Sequence, residues 1–159
     1  MSRVPSLGPH GEGWVVLQFI LFGAIAVAGF ATGGAGSGSL PLLRLAVGLL
    51  LMCTGLALAG KGLLDLGRNL SPLPRPRTDA ELVQTGVYRW VRHPIYGGLI
   101  ALALGWALFV ASLLTVLLAL LLALLFELKS RREEAWLVEH YPGYQDYMDR
   151  TDRFFPLFH

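Results

Sequence analysis

The chain has 159 residues, 54% of them hydrophobic and 15% charged, with a mean hydropathy of +0.56. Average soluble domains carry about 25% charged residues, so a water-soluble protein of this size is excluded and one integral membrane domain, residues 1–159, is indicated. A net charge of +2 gives no reason to expect a nucleic-acid partner, and the single cysteine, Cys53, rules out an internal disulfide and lacks zinc-ligand spacing, so no metal is expected.

The first apolar stretch runs from Trp14 to Ala31 and is interrupted only by Gln18. A spanning helix needs about 20 apolar residues, within a range of roughly 17–25, so this stretch predicts a first span. With Ala26 and Ala28 it also has the look of a signal peptide, but it exceeds the roughly 7–15 residues of a signal core, and retention is expected. Thr32 to Ser39, rich in glycine and serine, reads as a flexible connection. No Gly-Lys-Ser/Thr follows those glycines, which argues against a phosphate loop. Leu40 to Gly60 predicts a second span, with Arg44 near its start and Cys53 as a small buried or lipid-facing residue.

Between Gly67 and Pro76 three prolines stand at alternate positions, so that segment is expected to be extended. Thr78-Asp79-Ala80-Glu81 has the pattern of a capping box, and Gly86 predicts a turn back to the membrane. From Pro94 to Phe126 there are 33 residues without a charge. One straight helix of that length would reach about 50 Å, against a hydrocarbon core of roughly 30 Å. Two short spans joined near Val110-Ala111-Ser112 fit better. Beyond Glu127 an amphipathic helix is expected to continue to about His140, with Lys129 and Glu133 paired at i,i+4, and Pro142-Gly143 ends it. The fold class is therefore all-α: four transmembrane helices, a helical hairpin after Pro94, and a C-terminal helix outside the membrane.

Four spans place 12 of the 13 basic residues on one side, leaving only Arg44. The two opposite loops carry no charge. By the positive-inside rule both termini and the charged side are cytoplasmic, and a bacterial inner membrane is the expected location.

Two polar clusters then return to the same side. Tyr88, Arg89, Trp90, Arg92, His93, Pro94 and Tyr96 precede the hairpin, and Lys129, Arg131, Arg132, Glu133 and Glu134 follow it. Taken singly they read as topology determinants, interfacial anchors, a helix start and solvated carboxylates. Taken together they offer an aromatic platform, an imidazole, carboxylates and a helix N-terminus, which suit a zwitterionic nucleoside with a cationic centre.

The stretch from Glu81 to Gly98, with Leu82-Val83-Gln84-Thr85-Gly86-Val87-Tyr88 leading into Arg92-His93-Pro94-Ile95-Tyr96, resembles the signature of the isoprenylcysteine carboxyl methyltransferase and phospholipid methyltransferase family. The tail is similar too: Glu133-Glu134-Ala135-Trp136-Leu137, Tyr141-Pro142-Gly143-Tyr144, and Arg153-Phe154-Phe155-Pro156. The resemblance covers roughly residues 65–157. It implies an integral-membrane methyltransferase using S-adenosylmethionine, with residues 61–159 as its core and two N-terminal spans in 1–60. It implies cofactor contacts from Glu81, Leu82, Val83, Tyr88, His93, Pro94, Ile95, Tyr96 and Glu133. It also implies that Lys129 lies on the substrate side, where the family has arginine; lysine lacks the bidentate fork for a carboxylate. The implied partner is a lipophilic small-molecule or lipid-anchored acceptor, a prenylcysteine-like carboxylate first and a phospholipid amine as the alternative. Glu134 and His93 are candidates for assisting proton removal from an amine. A non-catalytic membrane adaptor and a small transporter are the readings from other classes, and a transporter is opposed by the lack of a charge at the middle of any span.

Overall fold

The computed structural model describes residues 4–34, 41–71, 73–75 and 81–156. Its elements in chain order are α1 (Glu12–Thr32), α2 (Pro41–Leu66), α3 (Pro94–Val110), α4 (Leu113–His140) and α5 (Tyr144–Asp149), with short 3-10 turns at Gly67–Asn69 and Gly86–Arg89. Among the described residues no named strand occurs, as expected of a lipid-embedded chain whose backbone must satisfy itself. Helices α1, α2 and α4 are long and apolar enough to cross a membrane. Helix α3, at 17 residues, is shorter and reaches about 25 Å. Large apolar side chains turn outward, Phe30, Leu42 and Leu64 among them at about 80% exposure, as a lipid-facing surface requires.

The boundaries follow local chemistry. Helix α2 runs past the expected end at Gly60 because no breaker intervenes before Gly67, whose φ of +51° stops it. Lys61 and Asp65, one turn apart, pair along that extension. The hairpin turn falls at Ala111, which adopts φ +57° and donates its N–H to the Leu108 carbonyl at 3.2 Å. Ser112 then caps α4 by accepting from Thr115 N at 3.2 Å, and its hydroxyl lies 2.5 Å from that of Thr32 at the end of α1. Helix α4 continues unbroken out of its apolar half to His140, as the sequence predicts. The first three residues of the capping box and most of the glycine-serine connection lie outside the described residues, as do Pro72 and Pro76.

Helices α2 and α3 run antiparallel in close approach. A Cβ on Gly48 would stand 3.0 Å from the Gly105 carbonyl, and one on Gly55 only 2.5 Å from the Gly98 carbonyl. Gly62, on the same stripe, faces the start of α3 at Pro94 and Ile95. Small residues at these positions let the backbones touch, the usual route to helix association in lipid. Against the other side of α3, Trp14, Leu21 and Ile25 of α1 share a core with Ile100, Leu122 and Phe126.

The C-terminal tail folds back beside the segment before α3. Arg92 N donates to the Asp152 carbonyl at 2.9 Å, His93 N to the Arg153 carbonyl at 2.9 Å, and Asp152 N to the Trp90 carbonyl at 3.1 Å. The polar part of α4, the segment before α3 and the tail thus meet at one end of the bundle.

Candidate active site at the membrane boundary

The segment before α3 is held from below by α2. Asp65 accepts the backbone N–H of Val87 at 2.8 Å. Gly86 sits at φ +61°, and a Cβ there would overlap the Asp65 carboxylate, so both its conformation and its size demand glycine. Further along, Asn69 Oδ1 accepts from Glu81 N at 3.0 Å. Tyr88 is buried, and its carbonyl accepts from Tyr147 Oη of α5 at 2.5 Å. Burial, then the negative charge of Glu133, holds the Tyr88 phenol well above its ordinary pKa. Burial likewise pushes Tyr147 up to about 12 and Tyr144 far up. These phenols remain neutral, and Tyr147 is the one whose hydroxyl is seen to donate.

Helix α3 begins at Pro94, which costs no hydrogen bond at a helix start. The three-residue spacing of His93 and Tyr96 brings their rings into a parallel stack, 5.3 Å between centroids and 2° between planes. Phe126 also stacks on Tyr96, with ring centroids 4.7 Å apart. The two clusters join where Tyr96 Oη donates to Glu133 Oε2 at 2.9 Å.

The neighbouring carboxylate does different work. Glu134, 3% exposed, accepts from Arg92 Nε at 2.9 Å and Arg153 Nη2 at 2.7 Å. His93 Nε2 lies 3.3 Å from its Oε1, within ion-pair distance but without the alignment of a hydrogen bond. Arg92 also donates to the carbonyls of Met148 and Thr151, and Arg153 Nη1 to Glu127 Oε1 at 2.5 Å. Burial alone would lower the Arg153 pKa, but the hydrogen bond and charge of Glu134, with Glu127 beside it, hold it above its ordinary value.

These elements enclose an open cavity of about 230 Å³. Glu81, Leu82, Val83 and Tyr88 line one wall, His93, Ile95 and Tyr96 the start of α3, and Glu133 and Lys129 the wall from α4. Pro94, also singled out from sequence, does not line it; it is buried toward Gly62 of α2. Glu134 lies behind His93 rather than in the main cavity wall, at the edge of a separate shallow cleft with Arg131 and Arg153. The expected Lys129–Glu133 pair is replaced: the ammonium of Lys129 donates to Gln18 of α1 at 2.7 Å and stands 4.9 Å from the Tyr96 ring centre, while Glu133 takes the Tyr96 hydroxyl. Glu133 is committed to the Tyr96 hydroxyl, and the Lys129 ammonium finds its acceptor on α1 instead.

Sequence reasoning missed Gln18, Asp65, Asn69 and the lining tyrosines Tyr144 and Tyr147. Gln18 carried a signal as the one polar residue of the first apolar stretch, and Tyr144 as part of the tail that resembles the family. The donor set suits a ligand with a flat ring, hydroxyls and a cationic centre. Leu82 and Val83 supply an apolar wall, Glu133 and Glu81 supply acceptors, and the tyrosine faces attract positive charge.

The family model described as phospholipid methyltransferase matches residues 43–143. Over 110 residues the chain is 30% identical to the Protein-S-isoprenylcysteine O-methyltransferase of Schizosaccharomyces pombe, covering 67% of this chain and 47% of that protein. The solved structure of the eukaryotic intramembrane Ras methyltransferase, isoprenylcysteine carboxyl methyltransferase, superposes with a TM-score of 0.66 at 22% identity, covering 99% of this chain and 54% of the other, a likeness of fold. The chain spans about half the length of both relatives. With a family match running from α2 through the motif segment and the hairpin to Gly143, the chain belongs to the phospholipid methyltransferase family.

Proposed function

We propose that the protein is an integral-membrane methyltransferase that moves a methyl group from S-adenosylmethionine to a lipophilic acceptor, with a prenylcysteine-like carboxylate the best-supported acceptor. The observation that carries this reading is the convergence, in one cavity at the end of the bundle, of Glu81, Tyr88, His93, Tyr96 and Glu133 with the cation Lys129. Family membership and the names of the relatives agree with it.

S-adenosylmethionine supplies an electrophilic methyl on a cationic sulfur, so that a carboxylate oxygen gains the methyl as an ester while the carbon–sulfur bond breaks to a neutral thioether. The chain's residues align and desolvate the reactants. Glu133, fixed by Tyr96, is a carboxylate for ribose hydroxyls or an ammonium. Glu134 acts as a positioning residue that ties His93, Arg92 and Arg153 together. Lys129 is the cation for an acceptor carboxylate, which needs no base. The alternative, a phospholipid amine acceptor, is favoured by the family model's own description. That acceptor must lose a proton, and in this reading His93, which lines the cavity, takes it.

The domain is read as a core of residues 61–159 completed by α1 and α2, with the site on the cytoplasmic face of a bacterial inner membrane, the side that holds 12 of the 13 basic residues. The test is transfer of labelled methyl from S-adenosylmethionine to a prenylcysteine acid and to an amine lipid, using protein in lipid nanodiscs. Ester formation on the acid supports the reading. Transfer to the amine lipid alone establishes the alternative, and transfer to neither acceptor by a protein that binds no donor removes both.

A further inference from the structure

Gln18 is the only polar residue between Trp14 and Ala31, yet it lines the cavity and is half-buried. A polar side chain in a membrane helix is costly unless a partner repays its desolvation. The partner is Lys129, 2% exposed, whose Nζ donates to Gln18 Oε1 at 2.7 Å across 111 positions of sequence. An ammonium only donates and has three protons to place. Gln18 takes one, and the Tyr96 face lies 4.9 Å away. Both of these neighbours are neutral. Glu133 is engaged by the Tyr96 hydroxyl, and Glu134 by Arg92 and Arg153. Among the described residues no carboxylate stands within ion-pair distance of Lys129; Glu133 acts on it only from farther off, and the ammonium lines the cavity.

We propose that Gln18 is a positioning residue that makes α1 part of the acceptor site: its neutral amide fixes the Lys129 ammonium without neutralising it, and thereby selects an acceptor with an anionic carboxylate head. This rests on the methyltransferase reading. A carboxylate also occurs on the methyl donor itself, so the test separates the two sources. Gln18→Glu supplies the missing counter-charge at the same place, and Gln18→Leu removes the amide while suiting the bilayer.

The experiment measures, for the full chain in nanodiscs, the acceptor KM and kcat with a prenylcysteine acid. Displacement of that acid by its neutral carboxamide and the dissociation constant of S-adenosylmethionine are measured on the same samples. Wild type should prefer acid over carboxamide. Gln18→Glu should raise the acid's KM about tenfold or more and erase that preference, with donor affinity unchanged within about twofold. Gln18→Leu should raise KM by less. Gln18→Asn, too short to reach Lys129, replaces Gln18→Glu if the latter does not fold. An acid preference that is absent in wild type, or intact in these variants, overturns the inference while leaving methyl transfer standing. Lost donor affinity with an unchanged acceptor KM assigns Lys129 to the donor carboxylate and overturns it equally. Absence of donor binding by folded wild type defeats the underlying reading instead.

Discussion

Tyr96 Oη donates to Glu133 Oε2 at 2.9 Å, joining two polar clusters 37 residues apart in sequence across the α3–α4 hairpin. The Tyr96 ring stacks on both His93 and Phe126, so the hydroxyl is delivered to one position and Glu133 is presented to the cavity in one orientation. Tyr96→Phe keeps the stack and deletes only the donor. A hydrogen bond to a charged group contributes about 1.5–3 kcal/mol, equivalent to roughly ten- to hundredfold in an equilibrium constant. The unfolding temperature should drop by no more than that range implies, since the pair is part-buried, and donor affinity should fall as Glu133 loses its fixed orientation; calorimetric titration beside a thermal melt checks both.

Glu134 is the hub of a different network, buried and shared by Arg92 and Arg153. Removing one partner of a buried pair strands the other charges and costs about 3–5 kcal/mol. Glu134→Gln should therefore lower the unfolding temperature and loosen the tail. Hydrogen exchange should quicken at the amides of Arg92, His93 and Asp152, which bond across to the tail and back. A double-mutant cycle with Arg153→Ala should show strong coupling.

The α2–α3 interface predicts a contrast between glycines. At Gly98 a Cβ would stand 2.5 Å from the Gly55 carbonyl, whereas at Gly60 nothing lies within 4 Å. Gly98→Ala should destabilise the bundle by about 1–3 kcal/mol through overpacking. Gly60→Ala should be neutral or slightly stabilising, since alanine is the better helix former. Melts of the two variants in one detergent decide the point.

Burial raises the Tyr147 phenol from its ordinary value of 10 to about 12, and its hydroxyl donates to the Tyr88 carbonyl. For a group whose folded pKa lies above its unfolded one, the stabilisation is full below the lower value and lost as pH climbs toward the higher. Stability should thus hold up to about pH 10 and decline between 10 and 12. Tyr147→Phe should reduce stability at neutral pH and make that alkaline decline less steep, the part due to Tyr88 and Tyr144 remaining, as followed by circular dichroism.

The features legible in the sequence are those set by local rules. Pro94 starts α3 because proline suits a first helical position, and the uncharged run from Pro94 to Phe126 is too long for one span, so a hairpin was required. Its turn lacks glycine because Ala111 takes the left-handed conformation and Ser112 supplies the cap. What escaped depends on tertiary neighbours. Gly48, Gly55 and Gly62 recur every seven residues, but their meaning appears only when antiparallel α3 sets Gly105 and Gly98 against them. Lys129 read as the helical partner of Glu133 because i,i+4 proximity is visible in one dimension and Gln18 of another helix is not. Asp65 looks like half of a surface pair with Lys61 until the Val87 N–H is found on its other oxygen.

The most direct measurement is equilibrium binding of S-adenosylmethionine to the purified protein in nanodiscs, beside folded His93→Ala and Glu133→Ala variants. Both residues line the cavity, one from the segment before α3 and one from α4. Saturable binding by wild type, weakened at least about tenfold in each variant, is the predicted result. No binding by folded wild type, or equal binding by all three proteins, would contradict a methyl-donor site built from the paired clusters.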